Sequence, residues 1–266
     1  MRSSVSSLLK AFDNLDPPPR RQKALTPKLL RAMYKLSGAG RNITNNTAQA
    51  ACADLAIMGF FFAMRSCEYT TVRTPGRTKT LDVAHVVFRD DRKRILPHDC
   101  PANSVEYVTV TFVDQKNGDK MDMRTQRRTG DSVLCPVNRI YSLVARIRTH
   151  VPCFSGSTTI NTIHIAGATV AVTNGLLLKQ LRSTCRLCGG HKAFGFHDTE
   201  IGTHSLRSGG AMALFLNDHP VHKIMIFGRW SSDAFLAYIR PQVLEWTNNM
   251  SADMIKHDSF LDASDS

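Results

Sequence analysis

The sequence predicts an α+β fold, mainly α with one small antiparallel β-sheet. Apolar residues recur at helical spacing on both sides of residues 81–124. Within 81–124 they fall instead in short runs, and Asn117-Gly118 between two of these runs suits the positive φ of a type I′ hairpin turn. The 266 residues are 42% hydrophobic, enough to bury one sizeable core.

Residues 1–24 read as a basic linker or tail, extended by Pro17-Pro18-Pro19 and charged by Arg20-Arg21. A short helix over 7–15 has nothing nearby to pack on. Order begins at Leu25. Thr26 is the expected hydroxyl cap of a helix with Pro27 at its first position, Leu25 and Leu30 as staple, and an end near Ser37-Gly38. Asn46 or Thr47 caps a second helix through Ala50, Leu55, Met58 and Phe62, apolar nearly all round and therefore central. Arg65 and Glu68 follow at its far end, where an arginine is costly to bury unless it binds something anionic.

Strands are expected over 83–88, 92–96, 107–113 and 120–124, with Lys116 before the Asn117-Gly118 turn and Lys120 after it. From Cys135-Pro136 the helical period returns, with Ile140, Val144 and Ile147 on one face. Residues 151–170 carry no clear pattern. A helix begins over 176–181, followed by Cys185, Cys188, His191 and His197. The last group is helical over 204–217, 220–227 and 232–239, with Gly228 at the second break and Pro241 as the stop. Residues 248–266 form a polar, acidic tail.

Net charge is +12, which points to a polyanionic partner, nucleic acid before an anionic membrane surface. Seven cysteines, odd in number and irregularly spaced, argue for reduced thiols in an intracellular compartment. No secretory signal is visible in residues 1–10, and the apolar run 55–64 is too short to span a bilayer.

The chemistry concentrates in Arg65, Lys116, His204, Arg207 and Tyr238. An arginine fork matches two phosphate oxygens, and two forks can clamp a phosphate and stabilise charge growing on it. A phenol with an ordinary pKa near 10 needs nearby cations or a base to attack, and histidine is suited to move its proton. His204 and Arg207, three apart, share a helix face. A lysine on a hairpin tip can reach into a groove and protonate a leaving alkoxide.

These parts, in this order, resemble the catalytic domain of the tyrosine recombinases, the phage integrase family. The carriers are Met64-Arg65-Ser-Cys-Glu68, Asp114-Gln-Lys116-Asn-Gly118, His204-Ser-Leu-Arg207, Gly228-Arg229-Trp230 and Tyr238-Ile-Arg240. The wording from Gly228 to Arg240 is most similar to the recombinases of Crypton-type DNA transposons. The resemblance covers residues 25–247 as one catalytic domain.

It implies DNA breakage and rejoining with the strand-transfer chemistry of a type IB topoisomerase, without metal or other cofactor. Arg65 and Arg207 would bind the scissile phosphate, and Tyr238 would form a 3′-phosphotyrosine link. Lys116 would be general acid, His204 would assist proton transfer, Trp230 would hydrogen-bond the phosphate, and Glu68 would buttress the site. Lys120, Arg229 and Arg240 are expected DNA contacts. Tyr238 lies eight residues after Trp230; the family's third-motif residue usually stands one position farther from its tyrosine, which here is Arg229. Both remain candidates. The family also normally carries an N-terminal domain that closes a clamp on DNA. The implied partners are double-stranded DNA and further copies of the chain assembled on it, with no membrane, in a nucleus or, in a cell without one, the nucleoid.

Two other classes stand beside this one. The helices over 204–217 and 220–227 also fit a helix-turn-helix, hence a domesticated recombinase that binds DNA without cutting it. Cys185, Cys188, His191 and His197 have zinc-ligand types, but lack the second well-separated pair of a zinc ribbon.

Overall fold

Apolar side chains with nowhere else to go set the centre of this molecule. The structure, a computed structural model, describes residues 22–230 apart from 41, 43, 74–77 and 115–119. Among them are eight α-helices and two antiparallel sheets. None of these helices is long and apolar enough to cross a membrane.

Helix α1 (Pro27–Ser37) starts on proline and ends at Gly38, whose φ of 67° lets its N–H close back onto Lys35 O. Thr26 enters extended, but its hydroxyl caps nothing and is buried without a partner. The expected hydroxyl cap is therefore corrected: proline alone sets the start. Helix α2 (Ala48–Phe61) is capped by Thr47, whose hydroxyl accepts from Ala50 N at 3.1 Å. Every residue from Ala50 to Phe60 is buried, so this helix is the axis of the core. It stops at Phe61; Ala63 then bends with φ 45°, and Arg65 caps the four-residue α3 (Ser66–Tyr69). Arg65 thus emerges beyond a break in the helix and not from α2 itself.

The main sheet has strand order β2-β1-β3-β4, from Val86–Arg89 (β1), Ile95–Leu96 (β2), Tyr107–Asp114 (β3) and Lys120–Arg127 (β4). Residues 83–85 form a 3-10 turn before β1, where the sequence reading put strand. Asp114 pairs with Lys120, so β3 and β4 are the arms of the expected hairpin; Asn117-Gly118 lies outside the described residues. Val108, Val110 and Phe112 turn into the core.

Helix α4 (Pro136–His150) packs Ile140, Val144 and Ile147 inward, as its period predicts. A second hairpin, β5 (Thr162–Ile165) and β6 (Ala168–Ala171), occupies the stretch that had no clear pattern. Its turn residues Ala166 and Gly167 both have positive φ. Helices α5 (Asn174–Leu187) and α6 (Gly190–Phe194) follow, then α7 (Ser205–Phe215) and α8 (Val221–Gly228). Most of these elements share one core, while Ala24, Ala211, Met212 and Ile224 form a smaller cluster that ties α7 and α8 to the incoming chain, with Trp230 packed against it.

Candidate active site

Two glycines decide where Arg207 stands. A Cβ on Gly209 would lie 2.3 Å from Leu25 O, and one on Gly210 would lie 2.4 Å from Phe60 O. Helix α7 can therefore press against the end of α2 and the segment before α1, which Leu25 N also bonds through Ser205 O at 2.9 Å. That contact brings the first turn of α7 beside the bend that carries Arg65.

The last carbonyls of α8 complete the arrangement. A helix C-terminus leaves carbonyls without helical partners and carries the negative end of the dipole. Here arginines take them. Arg124 on β4 donates through Nη2 to Ile226 O (2.7 Å) and through Nε to Phe227 O (3.2 Å). Arg207 donates through Nη2 to Gly228 O at 2.6 Å. Arg65 Nη2 and Arg207 Nη2 each reach Arg229 O at 3.4 Å. Two guanidiniums from distant parts of the sequence thus converge on one oxygen. The Arg207 guanidinium also lies over the Trp230 ring, 4.4 Å from its centroid.

Glu68 organises the other side. Its side chain is 1% exposed. It accepts from Arg65 N at 2.8 Å and Arg65 Nη1 at 3.3 Å, and it pairs with both terminal nitrogens of Arg229 at 3.1 and 3.0 Å. Arg229 is buried, with its guanidinium 3.4 Å from the centre of the Phe112 ring. Burial pushes that guanidinium below its ordinary pKa, and the Glu68 charge opposes the shift. Arg229, expected as a DNA contact, instead spends its side chain inside the protein. Its backbone holds φ 60° and ψ 45°, a left-handed conformation that costs about 1 kcal/mol for a residue with a side chain.

His204 is exposed at the start of α7, where its N–H donates to Gln22 Oε1. Lys120 opens β4 by pairing with Asp114. Lys116, Tyr238 and Arg240 lie outside the described residues. Among the expected site residues, the fold brings together Arg65, Glu68, Arg207, Arg229 and Trp230. Arg124 was not foreseen. Its only signal was a place among the alternating residues of β4, which any solvated arginine shares.

Cys67, next to Arg65, is a nucleophile by type, but burial and then the Glu68 charge push its thiol up, which disfavours the thiolate. A cavity of about 630 Å³ opens beside it, lined among others by Glu68, Lys79, His85 and Asp114. The cysteine and histidine cluster does not gather. Cys185 is buried, with its Sγ 3.9 Å from Phe196 O, and the rings of His191 and His197 stack on each other. No group of three or more histidine, cysteine or acidic side chains among the described residues is placed to hold a metal.

No family model matches the chain, and no curated protein matches it in sequence. Solved structures do match in fold. The XerH site-specific recombinase bound to its difH substrate, in a pre-cleavage complex, aligns with 88% of this chain and 55% of its own at 15% identity, with a TM-score of 0.51. Its post-cleavage complex with a palindromic difH substrate covers 89% and 54% at 14% identity and TM-score 0.49. The Tn1549 transposon integrase, bound to transposon right end DNA, covers 87% and 68% at 10% identity and TM-score 0.44. The chain spans about half the length of the XerH chain. Its mixed fold, eight described helices with a small four-stranded antiparallel sheet and a second hairpin, matches that of a tyrosine recombinase catalytic domain.

Proposed function

We propose that this chain breaks and rejoins DNA through a covalent link to Tyr238. The observation that carries the reading is the shared oxygen: Arg65 and Arg207 both point a terminal nitrogen at Arg229 O, at 3.4 Å each. An oxygen held between two guanidiniums is what a clamped phosphate requires. A DNA phosphate, carrying a full charge, competes well against a backbone carbonyl for those donors.

In the reaction, the Tyr238 oxygen attacks phosphorus and its proton leaves toward His204 or water. The bond to the 5′ oxygen breaks, Lys116 protonates that oxygen, and a 3′-phosphotyrosine and a free 5′-hydroxyl result. Rejoining runs the same steps backward, so the bond energy stays in the ester and no metal or nucleotide is consumed. The proposed partner is double-stranded DNA of a mobile element, Crypton-like by the wording around Tyr238, with several copies of the chain assembled on it in the nucleus.

A suicide duplex, nicked so that the released fragment with the free 5′-hydroxyl diffuses away, tests this. The expected product is an adduct that survives SDS and disappears in Tyr238→Phe. An adduct that persists in that variant removes Tyr238 as nucleophile. The second reading, a protein that binds DNA without cutting it, is favoured by the occupation of both arginines by carbonyls of the 228–230 turn. It predicts salt-sensitive DNA binding with no adduct from any duplex.

A further inference from the structure

Arg229 joins the two halves of the site by opposite ends. Its side chain runs inward, with both terminal nitrogens on Glu68, a third bond from Nη2 to Ala63 O at 3.3 Å, and its plane against Phe112. Its carbonyl oxygen faces the other way, between Arg65 and Arg207. A glycine would take the left-handed backbone at this position more easily; what the arginine adds there is its side chain. The residue before it closes the same turn. A Cβ on Gly228 would fall 1.6 Å from Cζ3 of Trp230, so the indole lies directly on the glycine and reaches Arg207.

We infer that Arg229 is a positioning residue of the phosphate-binding site. The inference rests on the recombination reading given above. The tether from Arg229 to Glu68 sets the 228–230 turn, and that turn places Trp230 on Arg207 and aims both arginine forks at one point. Glu68 also holds Arg65 through its backbone N–H and Nη1, so a single carboxylate registers the turn and the first arginine together. Arg229 itself, 4% exposed, does not touch the phosphate. Without the tether the turn drifts, Trp230 leaves Arg207, and the two forks no longer point at one place.

The test uses the full chain with Trp246→Phe, which leaves Trp230 as the one tryptophan of the two in the sequence. Arg229→Met and Arg229→Lys are compared with this parent for acrylamide quenching of Trp230, for affinity to a duplex, and for the single-turnover rate of adduct formation. Arg229→Met is expected to raise quenching and slow the adduct about 100-fold, the loss typical of a small misplacement, with duplex affinity nearly unchanged. Arg229→Lys, which keeps the charge but not the fork, recovers part of both. Parental quenching in Arg229→Met overturns the tether. So does raised quenching with a parental adduct rate, which makes the turn irrelevant to chemistry. Should Arg229→Met not fold, Arg229→Lys carries the same comparison. If the parent forms no adduct, it is the recombination reading that fails, and quenching alone decides the tether, supported by a rise and overturned by equality.

Discussion

Two buried carboxylates in this protein hold two arginines each, and only one of them belongs to the proposed site. Asp54, on α2, is fully buried and pairs with Arg146 at 2.5 Å and Arg139 at 3.7 Å. Arg146 also donates to Asn45 O at 2.8 Å, and Arg139 stacks on Tyr34. Burial pushes the Asp54 carboxyl up, and the two arginines pull it back. This group is closed among α1, α2 and α4, with Arg146 only 2% exposed. Glu68 holds Arg229 in the same closed way, but its second arginine, Arg65, is 16% exposed and shares its acceptor with Arg207. Both groups carry surplus positive charge. In the first, the surplus is spent on fixed backbone and a ring. In the second, it is spent on the end of a helix, whose carbonyls a phosphate would replace under the proposed function. Charge and burial alone therefore do not mark the site; an exchangeable acceptor with access from outside does.

The comparison breaks first at Asp54. Asp54→Ala strands two arginines in the core, and the expected loss is about 3–5 kcal/mol of folding stability by urea titration. An equal loss from Arg207→Ala, with adduct formation unchanged, would make the second group mere scaffold. The expected result is the reverse: Arg207→Ala melts close to the parent and loses on the order of 10²–10³ in single-turnover adduct rate, as removal of one charge-stabilising donor does.

The smallest effect belongs to an exposed pair that serves as control. Arg31 donates to Asp131, which also accepts from the N–H groups of Leu134 and Val133, and these bonds hold the carboxyl well below its usual range. A carboxyl depressed in the folded state stabilises it above the unfolded pKa, near 3.9, and that contribution fades as pH falls through the lower folded value. Asp131→Asn should therefore flatten the decline of Tm below about pH 4 and leave the neutral-pH adduct rate alone. An unchanged acid limb would show that other carboxylates set it.

Much of the fold was legible because its signals are local. Pro27 with Gly38, Thr47 as cap, the short apolar run of β3 and the helical period of α4 each act within a few residues of where they are read. The β5–β6 hairpin was missed because its turn uses Ala166 at positive φ, where a glycine or asparagine would have announced it. The Thr26 hydroxyl is a local signal that failed, since burial left it pointing at nothing. The ion group at Asp54 was invisible for another reason: its partners sit on α4, far along the chain, and a lone aspartate in an apolar helix names none of them.

The sequence by itself determined which chemical groups this protein owns and the order in which they occur: Arg65, Lys116, His204, Arg207, Trp230 and Tyr238, on an α+β frame with surplus positive charge. Only the tertiary structure decided what Arg229 does. Its neighbours in the chain, Gly228 and Trp230, suggest a turn facing DNA. The approach of α7 to α2, allowed by Gly209 and Gly210, instead brings that turn against Glu68 and Phe112. A guanidinium goes where a carboxylate and a ring can replace its water, and which ones are in reach is a property of packing that no stretch of sequence contains.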